Sequence, residues 1–218
     1  MANETLTRLA QPQGRLHRGN CVSGLLNIRF LIVFLCAAGF AAAFFVQRGR
    51  IDGYYRDERW MVISEHAEQA EPGVTLILGD SLVERQRIVD MCGPALNAGV
   101  IGSTTADMLP HVAPVILAAK PARIVLGIGV NDRRADVPLA DFAARYDLIL
   151  KDIGAIPSLV VGVYGGGPYD AEVRRQAQAR GLKYIPYPVG PEMTIDGLHL
   201  SAAGAQVWRT AVRAALCG

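Results

Sequence analysis

The strongest constraint on the fold is a rhythm in the second part of the chain, where short apolar runs alternate with helical patterns. The apolar runs are Val74–Leu78, Ala95–Ala98, Arg123–Ile128, Ser158–Val163 and Leu182–Pro186. The helical patterns are Leu82–Met91, a stretch near Thr105–Ala119 interrupted by Pro110 and Pro114, Pro138–Ile153, Ala171–Arg180, and Ala202–Leu216 behind Ser201 as a cap. Buried parallel strands read as apolar runs separated by helices. The pattern therefore predicts an α/β fold, a doubly wound, flavodoxin-like sheet of five parallel strands.

A second apolar feature lies closer to the amino terminus. Phe30–Val46 reads FLIVFLCAAGFAAAFFV and contains no charge. Its length is near the lower limit for a membrane-spanning helix, about 17–25 residues. We predict one transmembrane helix, an uncleaved signal anchor, at residues 29–47. The competing interpretation is a cleaved signal peptide with its small-residue site in AAGFAAA. A buried core helix is disfavoured because no polar residue alternates through the run.

These features divide the chain into four parts. Residues 1–28 form a polar basic arm, residues 29–47 the span, residues 48–72 a partly helical linker, and residues 73–218 the sheet domain. The arginines that flank the span are Arg8, Arg15, Arg18 and Arg29 before it, and Arg48, Arg50, Arg56 and Arg59 after it. Each flank carries four arginines, so the positive-inside rule does not indicate which side of the membrane the sheet domain faces.

Charge and cysteine usage exclude some classes of function. The net positive charge comes from residues 1–50, which hold six arginines and one acid, whereas residues 51–218 hold sixteen basic and nineteen acidic residues. No basic stripe with interleaved aromatic residues predicts nucleic-acid binding. The four cysteines, Cys21, Cys36, Cys92 and Cys217, lack the spacing of metal ligands. Cys92 and Cys217 could form a disulfide if the domain lies outside the cytoplasm; the alternative is two unrelated buried thiols.

Polar residues follow the apolar runs, at the sheet edge where ligands of such folds bind. The first run leads into Gly79, Asp80 and Ser81. Ser81 is either a nucleophile at the strand end or, with Glu84, part of a helix capping box. The second run leads into Asn97, Gly99 and Gly102, which read alone also fit an ordinary turn.

Polar residues also follow the third and fifth apolar runs. Gly129, Asn131 and Asp132 follow the third run, where an Asx-turn is the alternative. Asp196 and His199 follow the fifth run at a spacing that can hold an imidazole by a carboxylate; an Asp-Gly turn beside an unrelated histidine is the alternative. Together these loops supply a hydroxyl nucleophile, a base, an orienting acid and oxyanion donors.

The four blocks GDSL, the glycine in NAGVIGST, GVND and DGLH resemble the GDSL, or SGNH, hydrolase family over about residues 74–218. The resemblance implies that Ser81 is the nucleophile, His199 the general base and Asp196 its orienting acid. It implies an oxyanion hole formed by the Ser81 and Gly102 amides and the Asn131 side chain. Asp80 and Asp132, with Gly79 and Gly129, would shape their loops. No metal or other cofactor is implied.

The resulting hypothesis is a single-pass membrane-anchored serine esterase that removes or transfers a small O-acyl group on a cell-envelope glycan. Such an anchor would keep an extracytoplasmic domain near envelope polymers. A lysophospholipase or thioesterase acting on lipid acyl esters is the first alternative, and an assembly subunit with little turnover is the second. The sequence does not identify a protein partner. Tyr164 and Tyr169, beside three glycines after the fourth run, either face the substrate or belong to a plain connection.

Overall fold

The structure is a computed structural model that describes residues 20–88 and 90–218, without the side chains of residues 20–27 and 29. Most of the predicted arm, residues 1–28, and the side chain of Cys21 lie outside this description. The described residues before Ile51 belong to one unit, and Ile51–Gly218 forms a second, compact unit.

The compact unit is built on five parallel strands. They are β1 (Thr75–Gly79), β2 (Ala95–Gly99), β3 (Arg123–Gly127), β4 (Ser158–Val161) and β5 (Lys183–Ile185). Their spatial order is β2-β1-β3-β4-β5, and every neighbouring pair is parallel. This is the flavodoxin-like order. The predicted doubly wound five-stranded sheet is confirmed.

Alternate residues of each central strand enter opposite cores, as the pleat requires. Leu76 and Leu78 of β1 point into a core that contains residues of α3, α5 and α6, whereas Ile77 joins a second core that contains residues of α7. Because both faces are covered, the central strands carry apolar side chains on both faces along most of their length. This is why they are readable as unbroken apolar runs.

Seven α-helices accompany the strands in the described part of the chain. They are α1 (Asn20–Gln69), α2 (Ser81–Glu84), α3 (Thr105–Ala119), α4 (Val130–Arg134), α5 (Leu139–Ile153), α6 (Pro168–Ala179) and α7 (Ala202–Cys217). Ser201 caps α7 as predicted, accepting a hydrogen bond from the Gly204 amide at 3.2 Å. Helix α3 continues through Pro110 and Pro114, because both prolines lie on its exposed side, where carbonyls left without a partner can reach water.

Helix α2 is much shorter than the predicted Leu82–Met91. The Asn97 side chain of β2 donates to the carbonyls of Val83 and Gln86, both at 3.0 Å. These carbonyls would otherwise accept the hydrogen bonds of further helical turns. A tertiary contact therefore replaces the helix that local sequence favours.

Helix α1 runs without interruption through the segment predicted as a partly helical linker. Trp60, Ile63 and Ala67 are buried in the first core. Their spacing places them on one helix face. The compact unit consequently begins at Ile51 rather than at residue 73.

The apolar part of α1 is long and apolar enough to cross a membrane. No residue of its most apolar 18-residue stretch is buried. Among the described helices, only α1 is both long enough and apolar enough to cross a membrane. A signal sequence has the same properties, so both predicted interpretations of residues 29–47 fit the helix.

Cys92 and Cys217 form a disulfide, with their Cα atoms 5.7 Å apart and their positions 125 apart in the sequence. The bridge joins the end of α7 to the segment before β2. Cys36 is free and exposed. Such a bridge persists in an oxidising compartment.

Candidate active site

The nucleophile candidate lies at the turn between β1 and α2. Asp80 caps α2, accepting a hydrogen bond from the Leu82 amide at 2.9 Å, and Ser81 is the first residue of the helix. The capping box proposed for Ser81 and Glu84 is therefore not formed. A Cβ at position 79 would lie 2.3 Å from the Val83 side chain, so the close approach of strand and helix requires glycine there.

Hydrogen-bonding contacts join Ser81 to His199 and His199 to Asp196. The Ser81 hydroxyl is 3.1 Å from His199 Nε2, and His199 Nδ1 is 2.6 Å from Asp196 Oδ2. The other Asp196 oxygen accepts from the backbone amide of His199 at 2.7 Å. Hydrogen bonds from the His199 side chain and backbone lower the pKa of Asp196 to about 2. Asp196 is thus ionised at neutral pH and can hold the imidazole with Nε2 directed at the serine.

The loop that carries His199 is fixed from several sides. An antiparallel bridge joins Thr194 to Leu200, and the Thr194 hydroxyl accepts from the Gly197 amide at 3.1 Å. Tyr164 donates its hydroxyl proton to the Gly197 carbonyl at 3.1 Å. Tyr164 therefore supports the histidine loop, a role that sequence reasoning did not assign to it. Tyr169 donates to the carbonyl of Val137 and belongs to the fold.

The two further oxyanion candidates follow the strands on either side of β1. Gly102 lies between β2 and α3 with a φ of 75°, a conformation that favours glycine. Asn131 is in the first turn of α4, after β3, and its amide nitrogen donates to the Ser103 carbonyl at 2.9 Å. An amide nitrogen has two hydrogens. One holds the loop that contains Gly102, and the other can serve a ligand.

The aspartates of the motifs are buried and tie these loops together. Asp132 accepts from the Thr105 amide at 2.9 Å and from the Thr105 hydroxyl at 2.6 Å, which links the start of α4 to the start of α3. Burial raises the pKa of Asp132, and it raises the pKa of Asp80 to about 7, with the neighbouring Asp132 charge adding to that shift. At Gly129, with a φ of 126°, a Cβ would approach the Phe142 ring at 3.0 Å.

Sequence reasoning missed three polar contributors near the site. Thr105 anchors Asp132, Glu84 accepts from the Ile101 amide, and Arg59 donates to carbonyls of β2. Of these three residues, only Glu84 was indicated by a sequence pattern. Its capping-box spacing predicted an interaction with Ser81, not with the Ile101 amide. Across the residues that the structure describes, no cluster of His, Cys, Asp and Glu could hold a metal ion.

The sequence profile of the GDSL-like lipase/acylhydrolase family matches residues 77–207. A search of curated proteins finds no significant match.

Several solved structures share the fold. A lipase/acylhydrolase from Enterococcus faecalis is 20% identical with a TM-score of 0.55, and the match covers 65% of this chain and 94% of that one. A psychrotrophic esterase from Pseudoalteromonas is 14% identical with a TM-score of 0.58, covering 66% and 97%. An acetylxylan esterase from Geobacillus stearothermophilus is 14% identical with a TM-score of 0.54, covering 67% and 95%. At these identities the likeness is one of fold.

Proposed function

The chain belongs to the GDSL-like lipase/acylhydrolase family and is a serine ester hydrolase, and on that premise we propose that Ser81, His199 and Asp196 are its catalytic triad. The observation that carries the proposal is the pair of contacts that joins them, 3.1 Å from Ser81 Oγ to His199 Nε2 and 2.6 Å from His199 Nδ1 to Asp196 Oδ2. A merely structural role for these three polar groups would not require this order of contacts.

In the proposed reaction, His199 Nε2 takes the proton of the Ser81 hydroxyl as its oxygen attacks the ester carbonyl. The ester oxygen leaves as an alcohol with that proton, and the acyl group stays on Ser81. Water then gives a proton to His199 and attacks the acyl-enzyme, which releases the carboxylic acid and returns the proton to Ser81. Asp196 stays ionised and stabilises the imidazolium that forms in each half-reaction.

The negative charge of each tetrahedral intermediate needs donors at fixed positions. We assign this role to the Ser81 amide, the Gly102 amide and the free Asn131 hydrogen. The amides of the first helical turn have no partner inside the helix. Gly102 and Asn131 flank the nucleophile because β2 and β3 flank β1 in the sheet. The hydrogen bond from the Asn131 side chain to the Ser103 carbonyl fixes the position of Asn131 relative to the loop that contains Gly102.

The substrate we propose is a small O-acyl group, such as acetyl, on a cell-envelope glycan. Ser81 is only 3% exposed. Asn131 and Asp196 lie only 65 positions apart in the sequence, so the loops around the site are short. Short loops favour a small acyl group, or a large polymer that approaches an open surface, over a long acyl chain in a deep tunnel.

We further propose that the apolar part of α1 anchors the protein in a membrane and that the catalytic domain is extracytoplasmic. The arginine flanks do not decide the side. The Cys92–Cys217 bridge supports an oxidising compartment, and an anchored hydrolase there would meet envelope glycans.

The test is a series of nitrophenyl esters from acetyl to octanoyl, assayed with the detergent-solubilised full-length protein and with its Ser81→Ala variant. We expect the highest kcat/KM with acetyl, a decline as the acyl chain lengthens, and almost no turnover by the variant. Activity that rises with acyl length would favour a lipid-directed esterase instead. Equal turnover by the wild type and the Ser81→Ala variant would contradict the catalytic assignment.

A further inference from the structure

Among the strands of the described residues, β2 lies at the edge of the sheet and has only β1 as its neighbour. In a parallel ladder, alternate residues direct their backbone groups to opposite sides. The Val100 amide donates to Gly79 of β1 at 3.1 Å, so the carbonyls of Asn97 and Gly99 face away from the sheet. Polar backbone groups that are partly buried there need other partners.

Arg59 of α1 supplies those partners. Its Nη2 donates to the Asn97 carbonyl at 3.0 Å, and its Nε donates to the Gly99 carbonyl at 3.2 Å. The Gly99 amide donates to the Asn97 side chain at 2.9 Å. The planar guanidinium fork thus spans two successive outward carbonyls, which one ammonium group cannot match in geometry.

Glu84, at the end of α2, holds the next part of the same segment. One of its oxygens accepts from the Ile101 amide, and the other accepts from the Tyr55 hydroxyl of α1. Arg59 Nε lies 3.9 Å from Glu84. Ile101 directly precedes Gly102, so the backbone on the amino-terminal side of Gly102 is held by two charged side chains of opposite sign.

The helix that presents Arg59 is itself firmly packed. Trp60 stacks on His111 of α3, with ring centroids 4.5 Å apart and planes 9° from parallel. Trp60, Ile63 and Ala67 are buried in the core. Arg59 therefore acts from a rigid element.

We propose that Arg59 and Glu84 are positioning residues that fix the Gly102 amide in the oxyanion hole. This inference rests on the proposed role of Gly102. Neither side chain is assigned a contact with the substrate; both act through the backbone of residues 97–101. Catalysis is sensitive to such placement, since a misplacement of about 1 Å can cost about 100-fold in rate. The carboxyl-terminal half of α1 therefore supports the oxyanion hole without contacting the substrate.

The experiment uses the full-length protein in detergent with nitrophenyl acetate. We expect Arg59→Met to lower kcat about 10- to 100-fold with little change in KM. Arg59→Lys should recover part of the loss, since an ammonium can reach one carbonyl but lacks the fork. Glu84→Gln, which keeps an oxygen for the Ile101 amide, should lose far less than Glu84→Ala.

Ile63→Ala is the matched control, because Ile63 is a buried residue of the same helix whose side chain has no hydrogen-bonding group. It should lower Tm while kcat stays near the wild-type value. If Ile63→Ala lowers kcat as much as Arg59→Met at a similar loss of Tm, the effect is general loosening and the inference is overturned.

The outcomes separate this inference from the proposed function. Turnover by the wild type that depends on Ser81, together with an unchanged kcat in Arg59→Met, overturns the positioning role alone. Turnover that is unaffected by Ser81→Ala overturns both. If Arg59→Met does not fold, the comparison of Glu84→Ala with Glu84→Gln decides: equal kcat values in the two variants overturn the proposal.

Discussion

Removing the carboxyl-terminal half of α1 should destabilise the catalytic domain severely. The relevant comparison is between two fragments, residues 51–218 and residues 73–218, because the second lacks Trp60, Ile63 and Ala67. These side chains are 2%, 0% and 0% exposed. Their loss would leave the apolar surfaces of α3 and the first core open to water.

The size of the effect follows from this burial. Burying a large apolar side chain such as Ile63 contributes about 1.5–3 kcal/mol, and Trp60 contributes at least as much. Ala67 and the two Arg59 hydrogen bonds add about 1 kcal/mol each. The sum, about 6–9 kcal/mol, is comparable with the whole stability of a typical domain, about 5–15 kcal/mol.

Thermal unfolding monitored by circular dichroism checks this prediction. If residues 73–218 fold at all, their Tm should lie about 12–36 °C below that of residues 51–218, since each kcal/mol shifts the Tm of a domain of this size by about 2–4 °C. The single substitution Trp60→Ala in the longer fragment should produce a part of the same decrease. Equal Tm values for the two fragments would show that α1 contributes nothing to the domain and would refute the reasoning.

Three further predictions concern the site and its surroundings. Asn131→Ala should lower kcat about 100- to 1000-fold in steady-state kinetics, as loss of one oxyanion donor does; an unchanged kcat would exclude Asn131 from the oxyanion hole. Because burial raises the pKa of Asp80 to about 7, the native state holds a proton that the unfolded state releases near pH 4. Stability should therefore fall as the pH rises from about 4 to 7, and Asp80→Asn should remove this part of the pH dependence of Tm; parallel curves for the two proteins would contradict the assignment. Opening the Cys92–Cys217 bridge by a double serine substitution should cost about 2–4 kcal/mol in urea unfolding, whereas no loss would mean that the bridge does not form in solution.

The sheet could be predicted from the sequence because one local pattern, an apolar strand followed by polar loop residues, repeats along the chain. Strands such as β1 and β3 have apolar residues along their centres because both faces are covered, and each is followed by the polar residues of one loop. Because the carboxyl ends of parallel strands share an edge, the proximity of Ser81 to the loop of His199 follows from topology. The spacing of Asp196 and His199 favours their contact in the same way.

Other features depend on contacts that one sequence does not reveal. Helix α2 ends early because the Asn97 side chain, 14 and 11 positions away in the sequence, donates to the carbonyls of Val83 and Gln86. The role of Arg59 depends on the edge position of β2, which becomes visible only when the strand order is known. The packing of Trp60, Ile63 and Ala67 had a readable signal, their helical spacing, but the polar and aromatic residues around them favoured a linker.

Covalent trapping tests the central claim most directly. The full-length protein is incubated with a small phosphonate ester, digested and examined by peptide mass spectrometry, beside its His199→Ala variant. The account predicts one phosphonyl group on Ser81 in the wild type and almost none in the variant, because the proposed base, His199 Nε2, lies 3.1 Å from the Ser81 hydroxyl. Labelling at another residue, or undiminished labelling of Ser81 without His199, would contradict it.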